Sequence, residues 1–397
     1  MSADTSAAAS VTPDGKIICH IDGAAVHSVA LHIKNSHPDW TIERYRETYP
    51  EAPTLSDYAI QKMEEKRKAA LEASAAAAVV DQGRAKKAFH EVFGISPKVK
   101  AAMSAAGEPI MIDVLTDRTP EQAALIPEKD PNYVWDIDLA KTAVIGLALN
   151  MPMYFWGYHG TGKTTTFEQV AAATRRPFLR VQHTVNTEEA HIVGQYVVKD
   201  GATVFQPGPL TEAMIEGYVY CADEYDFAMP SVLSVYQPVL EGKPLVIKDA
   251  PPEFRIVRPH RDFRFVATGN TNGGGDETGL YQGTQMQNAA NYSRFGIVEE
   301  VQYMNPKTEA AVIAGQSGID IADATKLVSF AKEVRDAFKG GKIGATVSPR
   351  ELIGAAKLGL VRGGKWRSGL RQGYLNRLSR VDREVVDQYA QRIFGEA

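Results

Sequence analysis

Tyr154-Phe-Trp-Gly157-Tyr158-His159-Gly160-Thr161-Gly162-Lys163-Thr164 decides the fold of this chain. A short apolar run ends at Gly157, and Gly157-x4-Gly162-Lys163-Thr164 fits the phosphate-binding loop residue for residue. Gly157, Gly160 and Gly162 let the backbone wrap a polyphosphate, with the amides of Tyr158, His159 and Thr161 turned inward. A helix-compatible run, Thr164 to Ala173, follows and adds its positive end at the same point. Lys163 is then expected to reach the β and γ phosphates of ATP, and the Thr164 hydroxyl to hold Mg2+, with Thr165 closing the nucleotide-binding stretch.

Working outward, apolar strand-like runs recur at Met153–Trp156, Phe178–Val181, Tyr218–Ala222, Phe263–Thr268 and Ile297–Tyr303, separated by helical stretches. Five such runs predict an α/β core, a five-stranded mostly parallel sheet covered on both faces, over residues 89–305. From Pro306 the periodicity is helical only, and residues 306–397 read as an all-helical lid. Upstream, residues 60–88 are Lys/Glu-rich and then Ala-rich and read as a helical linker; a partner-binding helix is the sharper alternative. Residues 1–15 are Ser/Ala/Asp-rich and read as disordered.

Three further signals belong to the same chemistry. Tyr218-Val-Tyr-Cys-Ala-Asp223-Glu224 is an apolar strand ending in two acids. Beside a phosphate loop, Asp223 would hold Mg2+ through water and Glu224 would polarise the attacking water. The plainer reading is a surface pair capping the next helix. Phe265-Val-Ala-Thr268-Gly-Asn270 is an apolar strand ending in an amide that could hold that water, or that simply makes a turn. Arg294 and Arg350 are cations of the kind that stabilise a transferring phosphoryl group, although their spacing alone does not single them out.

Between residues 16 and 59 lies Cys19-x2-Asp22-x9-His32-x4-His37, close to a Cys2His2 pattern with Asp in place of the second Cys. Zinc accepts thiolate, imidazole and carboxylate, so a CysAspHis2 site is chemically reasonable. The alternative is a metal-free mini-domain packed around Val29, Leu31, Ile33, Trp40 and Tyr45. So small a module rarely folds without a staple, which favours zinc.

Composition bounds the rest. The chain has 397 residues, 44% hydrophobic and 23% charged, as ordinary globular domains do. A formal net charge of −4 argues against a whole-molecule nucleic-acid footprint. Arg44 and Arg46 in the arm are offset by Glu43 and Glu47, so nucleic acid is not an expected partner. Two cysteines, no charged-then-apolar leader and no run of about 18 apolar residues predict a cytoplasmic protein without a membrane span.

Taken in order, these motifs resemble the AAA+ ATPases, in particular the MoxR branch and, within it, the CobS family of cobaltochelatase ATPase subunits. The specific matches are Val92-Phe-Gly-Ile95, the phosphate loop, Glu168-Gln-Val170, Ala222-Asp-Glu-Tyr-Asp226, Val257-Arg-Pro-His260, Thr278-Gly-Leu-Tyr-Gln-Gly-Thr-Gln285, Ser348-Pro-Arg350 and Tyr389-Ala-Gln-Arg-Ile-Phe-Gly395. The resemblance implies a homo-oligomeric ring of six subunits with ATP between neighbours. Lys163, Thr164, Asp223, Glu224 and Asn270 would lie on one side, with Arg294 as an arginine finger from the adjacent subunit and Arg350 as a second sensor. It also implies two insertions, one at Gly194–Gln206, whose Asp-Gly reads as a hairpin turn, and one around Leu245–Val257. A CobT-like adaptor and a CobN-like chelatase would be the partners, and cobalt insertion into a corrin ring the outcome. The arm resembles the Ros/MucR zinc finger, which CobS proteins as usually met lack, and the run from His183 to Glu189 also departs from the family pattern. A phage-encoded MoxR-type remodeller of another complex and a nucleic-acid motor are the other readings.

Overall fold

The structure is a computed structural model that describes residues 11–65, 83–104 and 106–395. They fall into two compact units, one ending at Gln82 and one beginning at Gly83. Of residues 1–15, expected to be disordered, residues 1–10 lie outside the described residues, as does the Ala-rich part of the expected linker; residues 11–15 are ordered instead, because Val11 bridges Ile17 and the Thr12 hydroxyl bonds the backbone of Lys16.

In the second unit the five apolar runs form β1 (Met153–Trp156), β2 (Phe178–Gln182), β3 (Val219–Asp223), β4 (Arg264–Gly269) and β5 (Ile297–Glu300). They pair in the order β5-β1-β4-β3-β2, every pair parallel. The two central strands β3 and β4 are buried at every residue, which is why they read as unbroken apolar runs. The edge strands β2 and β5 carry polar residues and alternate between more and less covered positions.

Register places the chemistry. Gly269 pairs with Trp156 and Ala267 with Ala222, so the carboxyl ends of β1, β3 and β4 line up along one edge of the sheet. In open α/β sheets this edge is where ligands bind. The residues after β1 form the glycine-rich loop, which feeds α1 (Lys163–Thr174). That helix has no side-chain N-cap; it begins on Gly162 at φ 93°, leaving its first amides without a side-chain acceptor.

The lid comprises α2 (Pro306–Ser317), α3 (Ile321–Lys339), α4 (Pro349–Val361), α5 (Trp366–Gly373) and α6 (Arg380–Phe394). Buried Ala324, Leu327, Val328, Ala331 and Val334 follow the helical spacing of α3. A fork of two 2.7 Å hydrogen bonds joins Arg335 on α3 to buried Glu309 on α2. The same guanidinium lies 3.7 Å over the Tyr303 ring, on the segment entering the lid. Breaking a buried pair of this kind costs about 3–5 kcal/mol, so it fixes α2 against α3. Ser348-Pro349-Arg350-Glu351 is a helix start: Ser348 caps α4 in a capping box with Glu351, and Pro349 takes the first turn.

The expected helical linker is corrected at its end. Arg84–Ala88 is a strand, paired antiparallel with Met111–Leu115. Long-range pairing overrides the helix-forming preference of its Ala and Lys residues. Both expected insertions are hairpins. Gly194–Lys199 pairs with Ala202–Pro207, and Asp200 and Gly201 turn the chain at φ 51° and 79°, the positive pair that an Asp-Gly turn supplies. Leu245–Val246 pairs with Ile256–Val257. No helix among the described residues is long and apolar enough to cross a membrane.

In the first unit a two-residue hairpin, Ile17–Ile18 with Ala25–Val26, precedes helices Val29–Ser36 and Ile42–Thr48. Ile17, Cys19, Val29, Ile33 and Tyr45 form its core. Leu31 does not join them; it is 61% exposed, because two residues from both Val29 and Ile33 a helix presents its opposite side.

Candidate functional site

The glycine-rich loop is shaped by its neighbours as well as by its own flexibility. Gly157 sits at φ 140°, and a Cβ there would lie 2.5 Å from the Val301 carbonyl oxygen; at Gly160 (φ 72°) it would lie 2.7 Å from the Ser348 Cβ. The loop is thus wedged between the strand β5 exit and the start of α4. Tyr158 stacks on Tyr303, with centroids 5.5 Å apart and rings parallel, and meets Phe338 of α3 edge-on. His159 accepts contact from two sides: its amide donates to the Tyr281 hydroxyl at 3.0 Å, and its ring nitrogen is 3.7 Å from Glu351. Thr161 donates to the Tyr158 carbonyl at 2.8 Å, and Thr165 faces solvent on α1.

Lys163 is buried and donates to the carbonyls of Gly157 (2.7 Å) and Tyr158 (2.9 Å) and to Asn270 Oδ1 (3.2 Å). Burial lowers its pKa to about 8, against the pull of Glu224, Asp226 and Asp223. Asn270 passes the connection on, donating through Nδ2 to Glu224 Oε2 at 2.5 Å. Glu224 itself stands at φ 54°, a left-handed conformation uncommon for a residue with a side chain. Burial raises its carboxyl above the ordinary range, and Asp223 and Asp226 add to the rise.

Asp223 is engaged at both carboxylate oxygens. Its Oδ1 accepts from the Thr164 hydroxyl at 2.7 Å and from the Thr268 hydroxyl, while Oδ2 takes Arg180 of β2. Burial opposes its ionisation, but these hydroxyls and Arg180 more than offset that and hold the carboxyl below its usual range. Thr164 and Asp223 supply hard oxygen donors side by side, a set that fits Mg2+.

The structure brings Lys163, Thr164, Asp223, Glu224 and Asn270 into one hydrogen-bonded group, in which Thr268 joins the two halves by accepting from the Glu224 amide at 3.4 Å and donating to Asp223. Arg350 stands exposed at the start of α4, its Cβ 3.7 Å from where a Gly160 Cβ would lie. Arg294 is not brought to the group: it bonds Glu241 at 2.7 Å and the Ala290 carbonyl.

Several residues that hold the site escaped the sequence reading. Asp226, fully buried, accepts from the Asn270 amide (2.8 Å), the Thr271 amide (2.8 Å) and the Thr271 hydroxyl (2.9 Å), and so fixes the loop that carries Asn270. Asp276 accepts from Thr278, Gly279 and Tyr281 amides and folds the Thr278–Gln285 run, bringing Tyr281 onto the phosphate loop. Asp226 and Tyr281 both lie within quoted motifs, so their presence was visible while their partners were not.

The first unit holds a separate cluster. Cys19 Sγ, an Asp22 oxygen and a His32 ring nitrogen lie within 4.8 Å of one another. His32 Nε2 and His37 Nε2 approach the same Asp22 oxygen at 2.8 and 3.0 Å. The thiol, the carboxylate and the His32 imidazole are donors that zinc accepts, and His37, expected as the fourth, reaches the Asp22 oxygen without belonging to the group of three.

Comparison with known proteins decides the family. A profile described as "AAA domain (dynein-related subfamily)" matches residues 152–295, and one described as "CbbQ/NirQ/NorQ C-terminal" matches residues 309–384. The chain is 34% identical to the aerobic cobaltochelatase subunit CobS of Sinorhizobium sp over 315 residues, 77% of this chain and 89% of that protein. It belongs to the CbbQ/NirQ/NorQ (MoxR) family of AAA+ ATPases. CbbQ of Hydrogenophilus thermoluteolus (28% identity over 211 residues; 53% of this chain, 75% of that protein) and NorQ of Paracoccus denitrificans (29% over 228 residues; 57% and 80%) are also similar. As an AAA+ ATPase the chain hydrolyses ATP.

The depressed Lys163 pKa gives this ATPase a measurable signature. A polyphosphate bound beside Lys163 would favour its charged form, so nucleotide binding there should take up a proton near pH 8. Affinity is then full below about pH 8 and declines as pH rises through it. Calorimetry at pH 8.5 in buffers of different ionisation enthalpy should show uptake in the wild type and none in Lys163→Met; the same heat in every buffer would refute the shift.

Proposed function

We propose that this protein is a CobS-like ring ATPase that powers metal insertion by a partner chelatase. The supporting observation is the 34% identity to CobS across 89% of that protein's length. Lys163 would bind the β and γ phosphates with the amides of the loop, from Gly157 through Thr165. Thr164 and Asp223 would hold Mg2+, which supplies charge neutralisation at the phosphates. Glu224, oriented by Asn270, would polarise the attacking water, and Arg350 would sense the nucleotide from α4.

In this reading ATP lies between neighbours of a homo-oligomeric ring, probed by Arg294 of the adjacent subunit. The two hairpins, with exposed Val198, Tyr196, Val246 and Ile256, would carry motion to a CobT-like adaptor and a CobN-like chelatase that inserts Co2+ into a corrin. The test is metallation of a corrin by the purified protein with those two partners. Activity that needs ATP and disappears in Lys163→Ala supports the reading. ATP hydrolysis without metallation in a competent partner mixture rejects it.

The comparable identities to CbbQ and NorQ favour a second reading, a MoxR-type remodeller with another client. The N-terminal module, with its Cys19, Asp22, His32 and His37 cluster, would then recruit that client around a structural zinc. Elemental analysis should find one zinc per chain, released in Cys19→Ser; wild-type protein free of zinc after growth in zinc-replete medium would leave a metal-free module.

A further inference from the structure

Arg180 is a cation within the apolar run of an edge strand of the core sheet, and no motif accounts for it. It lies on the edge strand β2, paired in register with Cys221 of β3. Its side chain is about half exposed, at 49%, yet its guanidinium is committed. Nε donates to Asp223 Oδ2 at 2.8 Å, Nη2 reaches the same oxygen at 2.5 Å, and Nη1 is 3.5 Å from Glu168 on α1. The arginine therefore ties β3 to the helix that leaves the phosphate loop.

Its effect on Asp223 is specific. With Oδ2 occupied, Oδ1 is the oxygen left facing the Thr164 hydroxyl. Around this point stand four acids, Glu168, Asp223, Glu224 and Asp226. Against them stand Lys163, bonded within the group, Arg350 at the start of α4, whose charge acts on Lys163, and Arg180, which of the three is bonded to Asp223. A cluster so acidic attracts a divalent cation whether or not a phosphate is present. A fixed positive charge on Asp223 opposes that attraction.

We propose that Arg180 is a positioning residue for the magnesium of this site. It orients Asp223 toward Thr164, and its charge keeps the acids from holding a divalent ion until a polyphosphate arrives with one. This rests on the assignment of Thr164 and Asp223 to the metal.

Mn2+ titration followed by electron paramagnetic resonance, with and without ADP, reads the effect without turnover. In the wild type, binding should depend strongly on nucleotide. In Arg180→Met, nucleotide-free Mn2+ binding should tighten by about tenfold or more. Its kcat should fall by about tenfold with KM for ATP little changed, since the misplaced carboxylate acts after ATP has bound. Arg180→Lys should restore the nucleotide dependence, because it keeps the charge, while recovering only part of kcat, because it loses the fork.

A merely structural arginine would lower the melting temperature and leave Mn2+ binding as it was. That result in Arg180→Met, or a Lys variant that matches Met, overturns the proposal. Arg180→Gln serves if the Met variant does not fold. Asp223→Asn separates the two layers: unchanged nucleotide-dependent Mn2+ binding in it would remove the metal assignment itself. Its loss there, beside a wild-type-like Arg180→Met, would remove Arg180 alone.

Discussion

Glu224→Gln should bind ATP as the wild type does and hydrolyse it about a hundredfold or more slowly, the contribution typical of a positioned acid or base. The geometry makes this substitution unusually clean. The amide has the same shape as the carboxyl, and its oxygen still accepts from Asn270 Nδ2, so the link through Asn270 to Lys163 survives. The left-handed backbone at Glu224 also stays occupied by a residue of equal size. What is lost is a group that can take a proton from water. Steady-state hydrolysis and retention of ATP on a desalting column measure the two halves separately. Undiminished turnover would take the water-polarising role away from Glu224, whereas loss of ATP binding would mean the side chain holds the loop rather than the water.

Arg294→Ala should leave nucleotide affinity unchanged and lower kcat by about a thousandfold, the lower part of the range for arginine fingers. The reason to expect so large an effect is where Arg294 is not. The described contacts commit its guanidinium to Glu241 and the Ala290 carbonyl, apart from the group around Lys163. An arginine acting within its own subunit would have to leave those partners and reach that group. One acting on a neighbour has only to be presented at the surface. Mixing Arg294→Ala with Glu224→Gln distinguishes these cases. If the site is shared, rings containing both regain activity, because an intact Glu224 site can lie beside an intact Arg294. Absence of recovery in rings shown by native mass spectrometry to be mixed would count decisively against action between subunits.

Much of the core was legible because its strongest constraints are local. Central strands buried on both faces must be apolar along their whole length, so β3 and β4 stood out as runs, and the loop after β1 needs glycine at fixed intervals. The Asp-Gly turn of the first hairpin and the Ser-Pro-x-Glu start of α4 are likewise encoded within four residues. The expected linker failed where local preference and long-range pairing disagreed: Arg84–Ala88 has helix-forming residues but finds Met111–Leu115. Leu31, part of the core in the metal-free alternative for the arm on hydrophobicity alone, is turned outward by the phase of its helix.

The sequence by itself determined the fold class, the order of the motifs and five residues that meet at the site: Lys163, Thr164, Asp223, Glu224 and Asn270. Asp223, Glu224 and Asn270 sit at or just past the end of a strand, and Lys163 and Thr164 open the helix after the glycine-rich loop, where spacing carries its own chemistry. Only the tertiary structure decided what holds them. Asp226 clamps the Asn270 loop, Tyr281 reaches the phosphate loop, Thr268 and Arg180 divide the oxygens of Asp223, and Ser348 closes on Gly160. These partners are separated from their targets by tens to more than a hundred residues. A hydrogen bond is satisfied by distance and direction in space, which spacing along the chain does not record.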